Sequence, residues 1–167
     1  MNSLHRQNMS KKGIDYLCMD VDGTLTDGKV YISQEGELFK TFNVKDGYAI
    51  KDILPQKRII PIIITGRESV ILENRAKELN IKYIYQDVKN KKEFFREFIN
   101  EKNIDISKVS FIGDDLNDLE IMLFIKENGG FVGCPRDAAM EILEVADFIS
   151  CKDGGNGAVR EFVEQIF

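Results

Sequence analysis

The residues of this chain with chemical potential sit in four short stretches: residues 20–28 (DVDGTLTDG), 64–67 (ITGR), 88–94 (VKNKKEF) and 113–118 (GDDLND). Read in order, they supply a carboxylate pair (Asp20, Asp22), a hydroxyl (Thr65), an ammonium (Lys91) and a second acidic cluster (Asp114, Asp115, Asp118). Residues two apart on an extended chain point the same way, with Cα atoms about 6–7 Å apart, so Asp20 and Asp22 face one site. Carboxylates gathered this closely repel unless their pKa values rise or a cation binds. With oxygen donors only, Mg²⁺ is the expected ion. Such a set suits phosphoryl transfer. One carboxylate attacks phosphorus, a second carboxyl protonates the leaving oxygen and then takes a proton from water, and metal plus ammonium neutralise the transferring group. Asp20 fits the attacking group and Asp22 the acid/base. Four solvated turn aspartates are the plainer reading of either cluster alone. The two clusters occurring in order, each behind an apolar run, favour a site.

Those apolar runs, 16–19 and 109–112, are the elements that must position the clusters. In an open parallel sheet, the loop after each strand lies at that strand's carboxyl end, where such folds bind ligands. The patterning predicts strands over 14–19, 62–65, 81–85, 109–112, 131–132 and 147–149, with Pro61 at a strand's first residue. Helices are expected over 46–54 (ended before Pro55), 69–79, 91–101, 116–125, 137–143 and 159–166. A β-hairpin is expected from 29–33 and 38–42, joined by residues 34–37. Strand–helix alternation of this kind implies an α/β fold with a Rossmann-like, mainly parallel sheet flanked by helices. The glycine tail at 154–157 lacks the lysine ending of a nucleotide P-loop and does not come after the first strand, so it reads as a helix-capping segment.

Composition narrows the partners. At 167 residues the chain fits a polar lead-in over 1–13 and one domain over 14–167. A formal charge of −5 with 23 dispersed basic residues argues against nucleic acid. No run approaches a membrane span, and the first residues lack a signal peptide's apolar segment. Cys18, Cys134 and Cys151 are odd in number and patternless, which predicts neither disulfide framework nor zinc site and points to the cytoplasm. The single histidine, His5, sits in the lead-in, which sets aside Ser-His-Asp, Cys-His and multi-histidine metal chemistry.

The set resembles the haloacid-dehalogenase-like phosphohydrolases, whose first motif is DxDG[TV], over nearly the whole chain from Ile14. The resemblance implies Asp20 as nucleophile and Asp22 as acid/base, with the Asp22 backbone carbonyl on Mg²⁺. It implies Thr65 on the phosphoryl oxygens, Lys91 on phosphate and Asp20, Asp114 in the metal site, and Asp115 and Asp118 as supporting carboxylates. Lys89 and Lys92 lie close enough to compete with Lys91 for its role. Asp20 and Thr65 are 45 residues apart and Thr65 and Lys91 only 26, which leaves no room for the cap domain that many relatives insert.

The stretches DGTLTDG, FNVKDGYAI, ITGR, GDDLND and GGNGAVREF together look like the capless 3-deoxy-D-manno-octulosonate 8-phosphate phosphatases. That group also takes in phosphatases of nine-carbon sugar acids and the non-catalytic, oligomerising C-terminal domain of some acylneuraminate cytidylyltransferases. The substrate implied is a phosphorylated keto-deoxy sugar acid, with Gly66, Arg67, Arg75, Lys45 and Asp46 as candidate contacts and Arg160 as a further cation. Arg67 after Thr65-Gly66 resembles the eight-carbon enzymes. A signalling receiver domain uses similar residue types, but there Thr and Lys come after the phosphorylated Asp at mid-chain, whereas Thr65 and Lys91 precede the second cluster here. A homotetramer is also expected, each site finished by a neighbouring chain, because a lone hairpin bearing Val30, Ile32, Leu38 and Phe42 has nothing of its own to cover it.

Overall fold

The computed structural model of the chain describes residues 13–167, so all of the expected lead-in except Gly13, including His5, lies outside the described residues. β1 (Tyr16–Met19) leads to a hairpin of β2 (Tyr31–Ser33) and β3 (Gly36–Phe39). Helix α1 (Val44–Tyr48) runs through a π-helical stretch (Ala49–Ile53) into α2 (Leu54–Gln56). Then come β4 (Ile60–Ile64), α3 (Val70–Glu78), β5 (Tyr83–Tyr85), α4 (Lys91–Lys102), β6 (Val109–Ile112) and α5 (Leu116–Glu127). β7 (Phe131–Cys134), α6 (Met140–Val145), β8 (Phe148–Ile149) and α7 (Ala158–Gln165) complete the chain. Among the described residues no helix is long and apolar enough to cross a membrane.

Six strands form one parallel sheet in the order β5-β4-β1-β6-β7-β8. Strand alternation divides the core between its two faces. Leu17, Met19, Ile63 and Ile112 pack on one side with Leu72 of α3 and Phe162 of α7. Cys18, Ile62, Ile64 and Phe111 pack on the other with Phe95 of α4 and Met122 of α5. After β1 the chain crosses to β4 and β5 on one side, then returns to β6 and β7 on the other. The ends of β1 and β6 are therefore the switch point of the sheet, where ligands bind in open α/β folds. The chain between β1 and β4 is taken up by the hairpin and α1–α2, and that between β4 and α4 by α3 and β5, so no cap domain is built.

Three local expectations need correction. The helix expected to stop before Pro55 continues to Gln56, because the π-helical stretch bonds i to i+5 and widens the turn where a proline ring would strike the carbonyl four residues back. Pro61 is the second residue of β4, not the first; β5 pairs only from Ile62 onward, so no neighbour calls for its missing N–H. The second hairpin strand covers Gly36–Phe39 rather than 38–42, starting at Gly36 with φ 115°. Phe42 accordingly leaves the hairpin and packs against the core.

Asp46 and Arg75 are tied into this framework. Asp46 is buried and accepts hydrogen bonds from the backbone N–H of Arg160 (2.7 Å) and Gly157 (3.3 Å), joining α1 to the start of α7. Arg75 bonds Glu78 at 2.7 Å and lies over the Phe42 ring, and a side chain at Gly47 would overlap its guanidinium. Burial outweighs the two backbone bonds and lifts the Asp46 pKa to about 6. With its folded pKa raised, the stability Asp46 contributes is fully present below the unfolded carboxylate value and is lost as pH rises through about 6. Asp46→Ala is expected to cost about 1–3 kcal/mol, with the penalty larger at pH 4 than at pH 8, read from urea unfolding at the two pH values.

Candidate active site

Thr65, Asp20 and Asp114 lie one, one and two residues past the ends of three adjacent strands, β4, β1 and β6. The Asp20 N–H continues the ladder to the Ile112 carbonyl at 3.0 Å, which fixes where its carboxylate emerges. Lys91, the first residue of α4, turns its buried side chain inward, while Lys89 and Lys92 remain exposed. Its Nζ donates to Asp20 Oδ1 at 2.5 Å and to Asp118 Oδ1 at 2.6 Å. Asn90 caps α4 by accepting from the Glu93 N–H at 3.0 Å, which sets the helix start that aims Lys91.

Asp118 is held from behind. Asp115 and Asp118 form a capping box at the start of α5, and Asp118 Oδ2 accepts from the Asp114 N–H at 3.0 Å. The Asp115 side chain is thus spent on its helix and stays exposed, outside the carboxylate cluster. Asp114 Oδ1 accepts from the Thr24 hydroxyl at 3.0 Å. At Gly23, with φ 97°, a Cβ would sit 1.9 Å from Asp114 Oδ2, so only glycine lets the two loops meet. The glycine tail braces the same loop: Gly155 N–H donates to the Thr24 carbonyl at 3.0 Å, and a Cβ at Gly154 would lie 1.8 Å from the Gly23 carbonyl oxygen. The tail thus supports the first motif as well as opening α7 at Gly157.

Side-chain oxygens of Asp20, Asp114 and Asp118 lie within 4.8 Å of one another. Burial and then the Asp118 charge, opposed by Lys91, push the Asp20 pKa up to about 7. Burial and then the Asp20 and Asp118 charges push Asp114 to about 8. Burial alone would lower the Lys91 pKa, but the two carboxylates outweigh it and hold it above the usual lysine value. Three carboxyls thus share one ammonium, a charge imbalance suited to a divalent cation. Mg²⁺ takes oxygen ligands at about 2.0–2.1 Å, so opposite ligands lie roughly 4 Å apart and the cluster fits it with small side-chain shifts.

Asp22 is directed elsewhere. Its Oδ1 meets Lys40 Nζ at 2.5 Å and its Oδ2 lies 3.9 Å from Arg67 Nε. Lys40 also meets Glu37 at 2.9 Å, and Glu37 accepts from the Ser69 hydroxyl and lies 3.6 Å from Arg67. Thr65 is buried at the end of β4, beside the half-buried Gly66 and exposed Arg67. Of the expected substrate contacts, Gly66 and Arg67 stand at this mouth, whereas Lys45 is exposed on α1 and the contacts of Asp46 and Arg75 run to α7, α3 and Phe42. Arg160 pairs with Glu164 at 2.5 Å beside the Tyr48 ring. Sequence reasoning does not single out Thr24, Glu37, Lys40 or Ser69 for the site. Thr24 stands inside DGTLT and is recognisable there; the other three gain meaning only once the hairpin has folded back.

No protein-family model matches the chain. It is 38% identical over 150 residues to the 3-deoxy-D-manno-octulosonate 8-phosphate phosphatase of Escherichia coli K12, covering 90% of this chain and 77% of that one. The phosphatase of the same name from Moraxella catarrhalis, solved with magnesium, phosphate and 3-deoxy-D-manno-octulosonate, superposes with a TM-score of 0.85 at 39% identity, covering 93% of this chain and 87% of that one. The cobalt-bound phosphatase from Haemophilus influenzae superposes with a TM-score of 0.84 at 30% identity, over 92% and 87% of the two chains.

Mg²⁺ is expected to raise the melting temperature, with a gain that grows logarithmically with its concentration and reaches about 2.7 kcal/mol of stability at a hundredfold excess over its Kd. Asp114→Asn should remove that response while making the metal-free protein more stable, because one of three crowded carboxyls is gone. Calorimetry with and without Mg²⁺ checks both; an Asp114→Asn protein that keeps the full Mg²⁺ shift places the ion elsewhere.

Proposed function

The chain belongs to the 3-deoxy-D-manno-octulosonate 8-phosphate phosphatases of the haloacid-dehalogenase-like superfamily, and from that membership we propose that it hydrolyses the phosphate ester of that eight-carbon sugar acid with Mg²⁺. The observation that carries the reading is the buried Lys91 shared by Asp20 and Asp118, with Asp114 alongside, at the switch point of a sheet that matches those enzymes. Nine-carbon substrates and a non-catalytic role are not favoured. The relatives named above carry the eight-carbon name, and Asp20, Asp22, Lys91 and Asp114 are all present.

Asp20 attacks phosphorus, forming an aspartyl-phosphate as the ester P–O bond breaks, and the departing sugar oxygen takes its proton from Asp22. Asp22, now a carboxylate, takes a proton from water as that water attacks the phosphorus, releasing inorganic phosphate and restoring Asp20. Lys91 holds Asp20 in line and neutralises the transferring group, while Thr65 and the Gly66 N–H receive phosphoryl oxygens. Asp20, Asp114 and the Asp22 backbone carbonyl would hold Mg²⁺, which would supply further positive charge to the phosphoryl oxygens. Asp118 keeps Lys91 in place, and Arg67 meets the acid end of the substrate.

Two further readings belong with this one. The three cysteines among the described residues are free thiols, which supports a reducing cytoplasm. A homotetramer is supported by the hairpin, a separate two-stranded sheet whose Ile32 and Leu38 are 71% and 59% exposed. Light scattering at micromolar protein is expected to give a four-chain mass; a monomer with full activity overturns the shared site.

The function is tested by phosphate release from phosphorylated sugar acids. The expected outcome is a higher kcat/KM for the eight-carbon substrate than for nine-carbon ones, and loss of turnover in Asp20→Asn with the fold intact. A tenth of the parent rate remaining in Asp20→Asn removes it from the nucleophile role, and a clear nine-carbon preference reverses the substrate.

A further inference from the structure

We propose that Lys40 is a positioning residue for Asp22, holding that carboxyl on the leaving-group side of the site. The proposal rests on the acid/base role given to Asp22 above but not on which sugar is cleaved.

The argument starts from the repulsion built into DVD. Asp20 and Asp22 stand two residues apart where β1 gives way to a turn, and carboxylates this close drive each other apart unless each has its own cation. Asp20 has Lys91. Asp22 has Lys40 at 2.5 Å, with Arg67 farther off at 3.9 Å and 44% exposed. The Lys40 side chain is only 4% exposed, so its ammonium depends on the carboxylates around it, Asp22 on one side and Glu37 at 2.9 Å on the other. Glu37 is anchored in turn by the Ser69 hydroxyl at the start of α3 and by Arg67. Lys40 is therefore fixed between the first motif and the loop after β4, at the point where the hairpin ends.

The consequence is a division of labour enforced by two lysines. Lys91 draws Asp20 into the cluster with Asp114 and Asp118, while Lys40 draws Asp22 towards the hairpin. A carboxyl that swung back among the other three would point away from the ester oxygen it must protonate. With Lys40 in place, Asp22 meets the leaving oxygen as the P–O bond breaks. Lys40 itself touches neither phosphorus nor the leaving group in this scheme, so its loss is felt only where a proton must be delivered.

The test uses aryl phosphates of graded leaving-group acidity, from 4-nitrophenyl phosphate to phenyl phosphate, read as kcat/KM with Mg²⁺ present. These compounds lack the sugar acid, so lost sugar recognition does not enter. Lys40→Met is expected to leave 4-nitrophenyl phosphate within about threefold of the parent and to lower phenyl phosphate by about tenfold or more, since general acid catalysis is worth roughly 10²–10⁴ only where the leaving group needs a proton. Lys40→Arg should keep the parent's shallow dependence. If Lys40→Met does not fold, judged by circular dichroism, Lys40→Gln is read in the same way. A loss uniform across the series, or no change in slope, overturns the proposal. A parent that cleaves none of these esters, nor any sugar phosphate, overturns the phosphatase reading instead.

Discussion

One buried ammonium organises this molecule. Lys91 lies out of solvent between Asp20 and Asp118, with Asp114 close by, so three carboxyls compete for one positive charge. Breaking such a buried pair by removing one partner costs about 3–5 kcal/mol, because a charge is left without water or counter-ion. The arrangement holds only if every participant is delivered by a rigid element. The start of α4 delivers Lys91, the end of β1 delivers Asp20, and the capping box of α5 delivers Asp118. Even then the balance stays negative, which is why burial and mutual repulsion lift Asp20 and Asp114 towards and beyond neutrality. The site holds more carboxyls than cations, which suits a bound divalent cation.

The sheet supplies the rest. Parallel strands send the loops that leave them from one end of the sheet, and the reversal of winding between β1 and β6 opens that end where Asp20 and Asp114 emerge. Close approach of the two loops is then a matter of volume. Gly23 has no side chain where Asp114 lies, and Gly154 none where the Gly23 carbonyl lies. A tail more than a hundred residues downstream thus shapes the first motif without contributing a side chain to it.

The same geometry decides how much of the site is legible in the sequence. Asp20, Lys91, Asp114 and Asp118 are readable because each sits in a short stretch beside an apolar strand or at a helix start, so local spacing already encodes the approach. The parallel sheet is readable from alternation, and α4 from Phe95 and Phe98. Contacts made by chain return are not legible. Asp46 and Arg75 look like spare polar groups near a motif, yet their contacts run to the start of α7 and to Phe42. Lys40 looks like a hairpin flank, yet it meets Asp22 eighteen positions away. The helix through Pro55 escapes sequence reasoning because propensity assumes a regular turn, and a π-helical stretch removes the clash on which that rule rests.

The hairpin shows how a site can be walled without a cap domain. Its polar end is pinned inward by Lys40 and Glu37, charges that reach Asp22, Arg67 and Ser69, while its apolar residues Ile32 and Leu38 point to solvent. The order is inverted relative to an ordinary surface hairpin, which buries its apolar face and solvates its charges. A two-stranded ribbon gains little from its own hydrogen bonds in water, so the hold of this one on its chain is ionic and sits at the mouth of the site. An anchor of that kind responds to the charge of whatever enters. An anionic substrate with Mg²⁺ would change the field felt by Asp22, Arg67 and Lys40 together, because the three sit in one ion-pair network. The outward apolar face then does the opposite job: it is indifferent to charge and is free to be covered by another surface while the inner edge adjusts.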